Sequence, residues 1–254
     1  MRTIWILVSL AACGGGGGHS VDAPPPIDAG VDAYMPTGGN AMSHTLFVNT
    51  EGVTLTMGAD DATANKSSLL ANATPVTLKP WRVGDAARAT KIAAVIAQFR
   101  STLAPYGVAI VDARPAAGPY DMLVVTDDNP AVLGSGFAGT SSVTPTACNM
   151  TRSVVSLAFP TVFAGSTDAQ FQHIVVNLGI ASFGLAAGIP LSKLRGDCMC
   201  LAAAPDCNLP GSQACTIGSA GTTIDTSNSG AGTCGVTDAT MDEGARFLAA
   251  FGPH

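Results

Sequence analysis

Cysteine and histidine carry most of the chemical potential in this chain, and both are unevenly placed. Seven cysteines occur, Cys13 alone near the start and Cys148, Cys198, Cys200, Cys207, Cys215 and Cys234 crowded toward the end. Thiolates at such positions could ligate zinc or pair as disulfides. Zinc hooks repeat a paired Cys-x-x-Cys spacing, whereas Cys198-Met-Cys200 is no such hook and the other intervals repeat none. An even set of six in an exported chain favours three disulfides. The four histidines are His19, His44, His173 and His254, and only His44 and His173 fall inside the folded stretch. His173 precedes Asn177 by about one helical turn, so the two share a face and could approach one metal ion. No glutamate stands beside them to serve as a base. Gly134-Ser-Gly136 lacks the strand–turn–helix setting of a hydrolase nucleophile, and no glycine-rich phosphate loop ending in Lys-Ser/Thr is present.

The segment His173-Ile-Val-Val-Asn177-Leu178-Gly-Ile-Ala181-Ser-Phe-Gly184-Leu185-Ala-Ala187-Gly-Ile-Pro190, followed by Asp197-Cys198-Met199, resembles the active-site helix and methionine turn of metzincin-type zinc peptidases. In that family two histidines one turn apart hold zinc, an intervening glutamate takes a proton from the metal-bound water, and a glycine releases the chain toward a third histidine. Setting Gly184 on the family glycine puts Asn177, Ala181 and Ala187 at the three ligand positions and Leu178 at the general-base position. Met199 then takes the place of the turn methionine. The resemblance thus implies the frame of a metallopeptidase with its catalytic groups missing: no catalytic residue, no metal ligand and no cofactor. Phe171, Ile174, Val175, Leu178, Ser182 and Leu185 also follow the spacing of any buried helix, which is the plainer reading of the same residues.

Stepping outward, the N-terminus reads as an export signal. Arg2, the apolar run Ile4 to Leu10 and Leu10-Ala11-Ala12-Cys13 resemble a bacterial lipobox, which implies cleavage after residue 12 and lipid on the Cys13 thiol. Gly14 at the next position, rather than aspartate, points to the outer membrane. Residues 13–43 then form a Gly/Pro/Asp/Ala tether without a periodic apolar face, which reads as disordered. The partner so implied is a membrane, reached through the lipid. A net charge of −6 argues against nucleic acid, and loss of Arg2 with the signal would make the chain more acidic still. Residues 44–254 suit one domain, and with 47% hydrophobic but only 12% charged residues its surface must be rich in Ser, Thr, Asn and Gly.

Within that domain the patterns predict a strand at Thr45–Asn49 with Gly52–Thr56 as its partner, and a long surface loop from Gly58 to Trp81. A helix from Asp85 carries the stripe Ile92, Val95, Ile96, Phe99 and Leu103 and ends before Pro105 and Gly107. Val108–Asp112 and Asp121–Thr126 read as buried strands, Gly134–Ser142 as a short edge strand and Ser153–Phe159 as another strand. Thr167-Asp168 caps the helix carrying Asn177. Loops stapled by cysteines follow, then a final helix at Asp242–Phe251. This order matches the metzincin catalytic domain, so the expected fold is α/β: a zincin-like mixed sheet packed by two main helices, with a disulfide-rich C-terminal part and a short final helix. The helix before residue 108 would cross over to a strand parallel to the first. In that frame a Cys148–Cys198 disulfide would tie the loop before the last strand to the methionine turn. The leading functional expectation is a surface-anchored lipoprotein whose metallopeptidase-like domain is inactive and serves in binding or structure, its protein or peptide partner unidentified. The alternatives are an active zinc peptidase with displaced ligands, bringing in His173, and a purely structural lipoprotein.

Overall fold

The computed structural model describes residues 44–145, 153–201, 207, 213–218, 220–228 and 233–254. The tether and Cys13 therefore lie outside the described residues, as does Cys148. At the centre is a five-stranded sheet whose strands lie side by side in the order Val108–Val111, His44–Asn49, Asp121–Val125, Val155–Ala158 and Ser142–Val143. Its members are β1 (His44–Asn49), β5 (Val108–Val111), β6 (Asp121–Val125), β7 (Ser142–Val143) and β8 (Val155–Ala158). The first, fifth, sixth and eighth strands run parallel, and β7 closes one edge antiparallel to β8. The pleat divides the side chains between two cores. Leu46, Val48, Leu123, Val125 and Ala158 face the helices, while Phe47, Met122, Val124, Val155 and Leu157 face the opposite side.

Helix α1 (Arg88–Thr102) makes the crossover from β1 to β5, and its stripe is buried as the spacing predicts, with Val95, Ile96 and Phe99 in the core. It begins three residues after Asp85 because that side chain is spent on the preceding turn, accepting from Ala87 N at 2.8 Å. Helix α2 (Asp168–Ala186) opens on a full capping box, in which Thr167 Oγ1 accepts from Gln170 N and Gln170 Oε1 accepts from Thr167 N. Its length from Ile174 to Ala186 is buried on every side. A Cβ on Gly179 would lie 2.9 Å from Phe99 Cε1 and 2.5 Å from Leu123 Cδ2, so the absence of a side chain lets α2 press onto both α1 and the sheet. The final helix α3 (Glu243–Phe251) packs Phe247 and Phe251 under α2, with Phe251 stacked on Phe183 at 4.5 Å.

Several expectations are corrected. The strand after β1 is not its partner: β2 (Val53–Met57) pairs with β3 (Lys66–Ser67) and β4 (Val76–Leu78) in a separate three-stranded sheet. That sheet covers the far face of the central one, burying Leu55 and Leu78 against Phe47 and Val124. The stretch 58–81 is accordingly not a surface loop, since Ala62, Leu70, Leu78 and Trp81 are buried. β5 is half buried, because it forms the sheet edge and Ala109 faces outward. Short 3-10 turns at Pro130–Leu133 and Ser135–Phe137 precede the edge strand, which is confined to β7. The C-terminal part holds a hairpin that the polar sequence did not reveal, β9 (Ala220–Thr223) against β10 (Thr240–Asp242).

The cysteines are also redistributed. Cys198 bonds Cys215 rather than Cys148, because Cys198 N donates to Thr216 O and Thr216 N to Gly196 O, which sets the two Cα atoms 4.9 Å apart. Cys200 bonds Cys207, and Cys234 is also disulfide-bonded. Five of the six domain cysteines are thus paired, and the sixth, Cys148, lies outside the described residues.

Candidate functional site

The residues that the sequence assigned to ligand and base positions all sit on or at the end of α2, packed among side chains rather than facing a cleft. Leu178 and Ala181 are fully enclosed, and both belong to the main apolar core. Ala187 is the C-cap of the helix and is partly buried. His173 lies near the helix start and is half-buried.

Asn177 has a defined structural task. Its Nδ2 donates to the carbonyls of Asp197 at 3.2 Å and Cys198 at 3.0 Å. One amide therefore anchors the whole 197–199 turn to the middle of α2, supplying a donor to the Cys198 carbonyl and a second one to the Asp197 carbonyl, which also accepts from Cys200 N at 3.2 Å. The same turn is braced from within, since Asp197 Oδ1 accepts from Met199 N at 2.6 Å. Asn177 Oδ1 has no hydrogen-bond partner.

Gly184 and Met199 meet. A Cβ on Gly184 would lie 2.6 Å from Met199 Sδ and 3.2 Å from Phe247 Cζ, so the thioether fills the space where a side chain would stand. This replaces the expected role of Gly184 as the helix breaker. The helix runs on to Ala186, and the chain turns instead at Gly188, whose φ of +83° is the left-handed conformation glycine adopts without strain. Shifting the peptidase frame by one turn to put Gly188 at the breaking position would assign Ala181, Ser182, Leu185 and Leu191 to the ligand and base positions. These four are buried too, and none offers an imidazole or carboxylate.

Beneath the turn lies a feature that motif reading passed over. Asp197 and Glu243 are 2% and 0% exposed, and Asp197 Oδ2 and both Glu243 carboxyl oxygens lack a donor. Both carboxyls converge on Gly218: a Cβ there would be 2.6 Å from Asp197 Oδ2 and 2.9 Å from Glu243 Oε2, with Thr222 Oγ1 also in contact. Burial, followed by the adjoining Asp197 carboxyl, raises the Glu243 carboxyl well above the usual range, and the Gly218 N–H opposes this only in part. Burial and the charges of Glu243 and Asp242 raise the Tyr106 hydroxyl as well. In sequence, Asp242-Glu243 reads as an ordinary helix start, a cap followed by a first-turn acid, which conceals that the second carboxyl points inward. Asp242 does cap, with Oδ1 accepting from Ala245 N at 2.9 Å.

A separate open depression of about 680 Å³ lies at the β2–β3 turn, lined by Asp60, Asp61, Lys66, Gly118 and Ser153 among others. Its acids are occupied by local turns, Asp60 with Ser67 and Ser68 and Asp61 with Thr63 and Ala64. It shares no residue with α2. Among the described residues no group of three or more His, Cys, Asp or Glu side chains is arranged to hold a metal ion, and no helix is long and apolar enough to cross a membrane. No known protein family, characterised protein or solved structure matches this chain.

Proposed function

We propose that the chain is an envelope lipoprotein, anchored to the outer membrane through Cys13, that displays a catalytically inactive metallopeptidase-like domain with a structural role. The reading is carried by Asn177. At a position where the metzincin frame requires a zinc ligand, its amide is committed to the carbonyls of Asp197 and Cys198. Leu178 at the base position cannot accept a proton, and Ala181 has no donor pair. The order of elements supports the frame itself: a crossover helix between parallel strands, a short antiparallel edge strand, a second helix, and a methionine beneath it. Burial of Asn177, Leu178 and Ala181 favours a structural role over capture of a peptide along that face of α2.

One observation favours a second reading, a peptidase with displaced ligands. Asn177 Oδ1 is unpartnered, and His173 lies one turn before it. Elemental analysis of the dialysed full chain, paired with a broad peptide-library digestion, separates the two. The inactive reading expects no stoichiometric zinc and no chelator-sensitive cleavage. About one zinc per chain with cleavage lost on chelation would establish the second reading instead.

A further inference from the structure

We propose that Asp197 and Glu243 share one proton as a buried carboxyl–carboxylate pair, latching α3 and the β9–β10 hairpin to the turn that carries Cys198 and Met199, and that the latch weakens as the proton is lost. The geometry carries the proposal. Two carboxyls lie side by side out of water, and their inward oxygens meet no donor. Two negative charges so placed would repel in a medium of low dielectric, while a single proton supplies the missing donor and removes one charge. The direction of the Glu243 shift agrees with this.

The groups around the pair reinforce the need for a proton. Thr222 faces it from β9, the Gly218 N–H lies near Glu243 from the preceding loop without completing a hydrogen bond, and the Tyr106 hydroxyl lies toward it from the segment before β5. Asp242 adds a further acid at the start of α3. Arg246, on the following turn of α3, is drawn toward Asp238. The ion pairs among the described residues include neither Asp197 nor Glu243. A hard cation takes about six to eight oxygen ligands, whereas the oxygens gathered at Gly218 are those of the two carboxyls and Thr222. A proton is compatible with every neighbour.

The sign follows from linkage. The folded state holds a proton that the unfolded chain releases above the ordinary glutamate range. The stabilisation is therefore complete at acid pH and declines as pH rises toward the raised folded value. The latch stands independently of any reading of the α2 face, because it needs only the two acids and their burial.

The test is thermal unfolding of the full chain from about pH 5 to about pH 9 for wild type and Glu243→Gln. The amide keeps a donor toward Asp197 without a titrating proton. The wild-type midpoint should fall relative to the variant across that range, with a slope difference equivalent to about one proton. Parallel profiles would overturn the proposal. So would calcium raising the wild-type midpoint but not that of the variant, since this would assign the oxygens to a cation. Should Glu243→Gln fail to fold, the wild-type infrared spectrum decides: a protonated-carboxyl stretch present at neutral pH and bleached in alkali supports the shared proton, and its absence refutes it.

Discussion

Asn177 shows how one side chain can tie a helix to a turn some twenty residues further on: its amide bridges α2 to the carbonyls of Asp197 and Cys198. Replacing it with alanine removes both bonds and strands the Cys198 carbonyl, while the Asp197 carbonyl keeps the Cys200 N–H. We expect Asn177→Ala to cost about 1–3 kcal/mol, read as a lowered denaturant midpoint. Asn177→Leu is expected to do no better, because the stranded carbonyl, rather than lost volume, sets the cost. A loss below about 0.5 kcal/mol in both variants would show that water or backbone movement satisfies that carbonyl. The contact between Gly184 and Met199 belongs to the same scale. It explains why a glycine sits within an otherwise continuous helix, where its conformational freedom is a disadvantage.

At the scale of elements, the starts of α1 and α2 are joined by a four-residue charge network. Arg82 Nη1 contacts Asp85 at 3.1 Å and Asp168 at 2.8 Å, while Lys91 Nζ reaches Asp85 at 2.6 Å and Asp168 at 2.9 Å. The Lys91 hydrogen bond is the main reason the Asp85 carboxyl is lowered to about 2, and it also lowers Asp168. Both acids have depressed folded values, so their contribution is present above the ordinary aspartate range and is lost as pH falls through the lowered one. Acid should therefore loosen the junction of the two helices, with opposite sign to the effect at Glu243. Lys91→Ala is expected to reduce stability modestly at neutral pH and to flatten the acid limb of the stability profile. An unchanged acid limb in the variant would show that the network contributes nothing there. The edge strand is held by only two residues, Ser142 and Val143, paired to β8.

At the scale of the whole molecule, the described residues form a domain whose cores lie on both faces of the central sheet. In the described C-terminal part, two disulfides stand beside the β9–β10 pairing and α3. Cys198–Cys215 spans 17 residues of sequence and closes the loop that carries Met199. A closed loop of that size restricts the unfolded chain by about 3 kcal/mol in the chain-entropy account. This firmness is consistent with the envelope location proposed from the lipobox-like Leu10-Ala11-Ala12-Cys13. Cys13→Ser should then move the protein from the membrane fraction to the soluble one. An unchanged membrane-bound fraction would exclude the lipid anchor.

The helices, most of the central strands and the pairing tendency of the cysteines are legible in the residues alone, because these follow from local periodicity, capping and composition. The stripe Ile92, Val95, Ile96, Phe99 and Leu103 and the Thr167–Gln170 capping box are complete within a few turns of chain. The partner of β2 and the choice of Cys215 for Cys198 emerge only in the folded chain. Each depends on which segment returns to lie beside another, and residue spacing does not encode that. The carboxyl pair is the clearest case. Asp197 and Glu243 are 46 residues apart and each has an ordinary local role, one in a turn and one at a helix start. Only the fold that brings α3 under the Cys198 loop puts both beyond the reach of water, and burial is what gives them a chemistry their types and spacing do not announce.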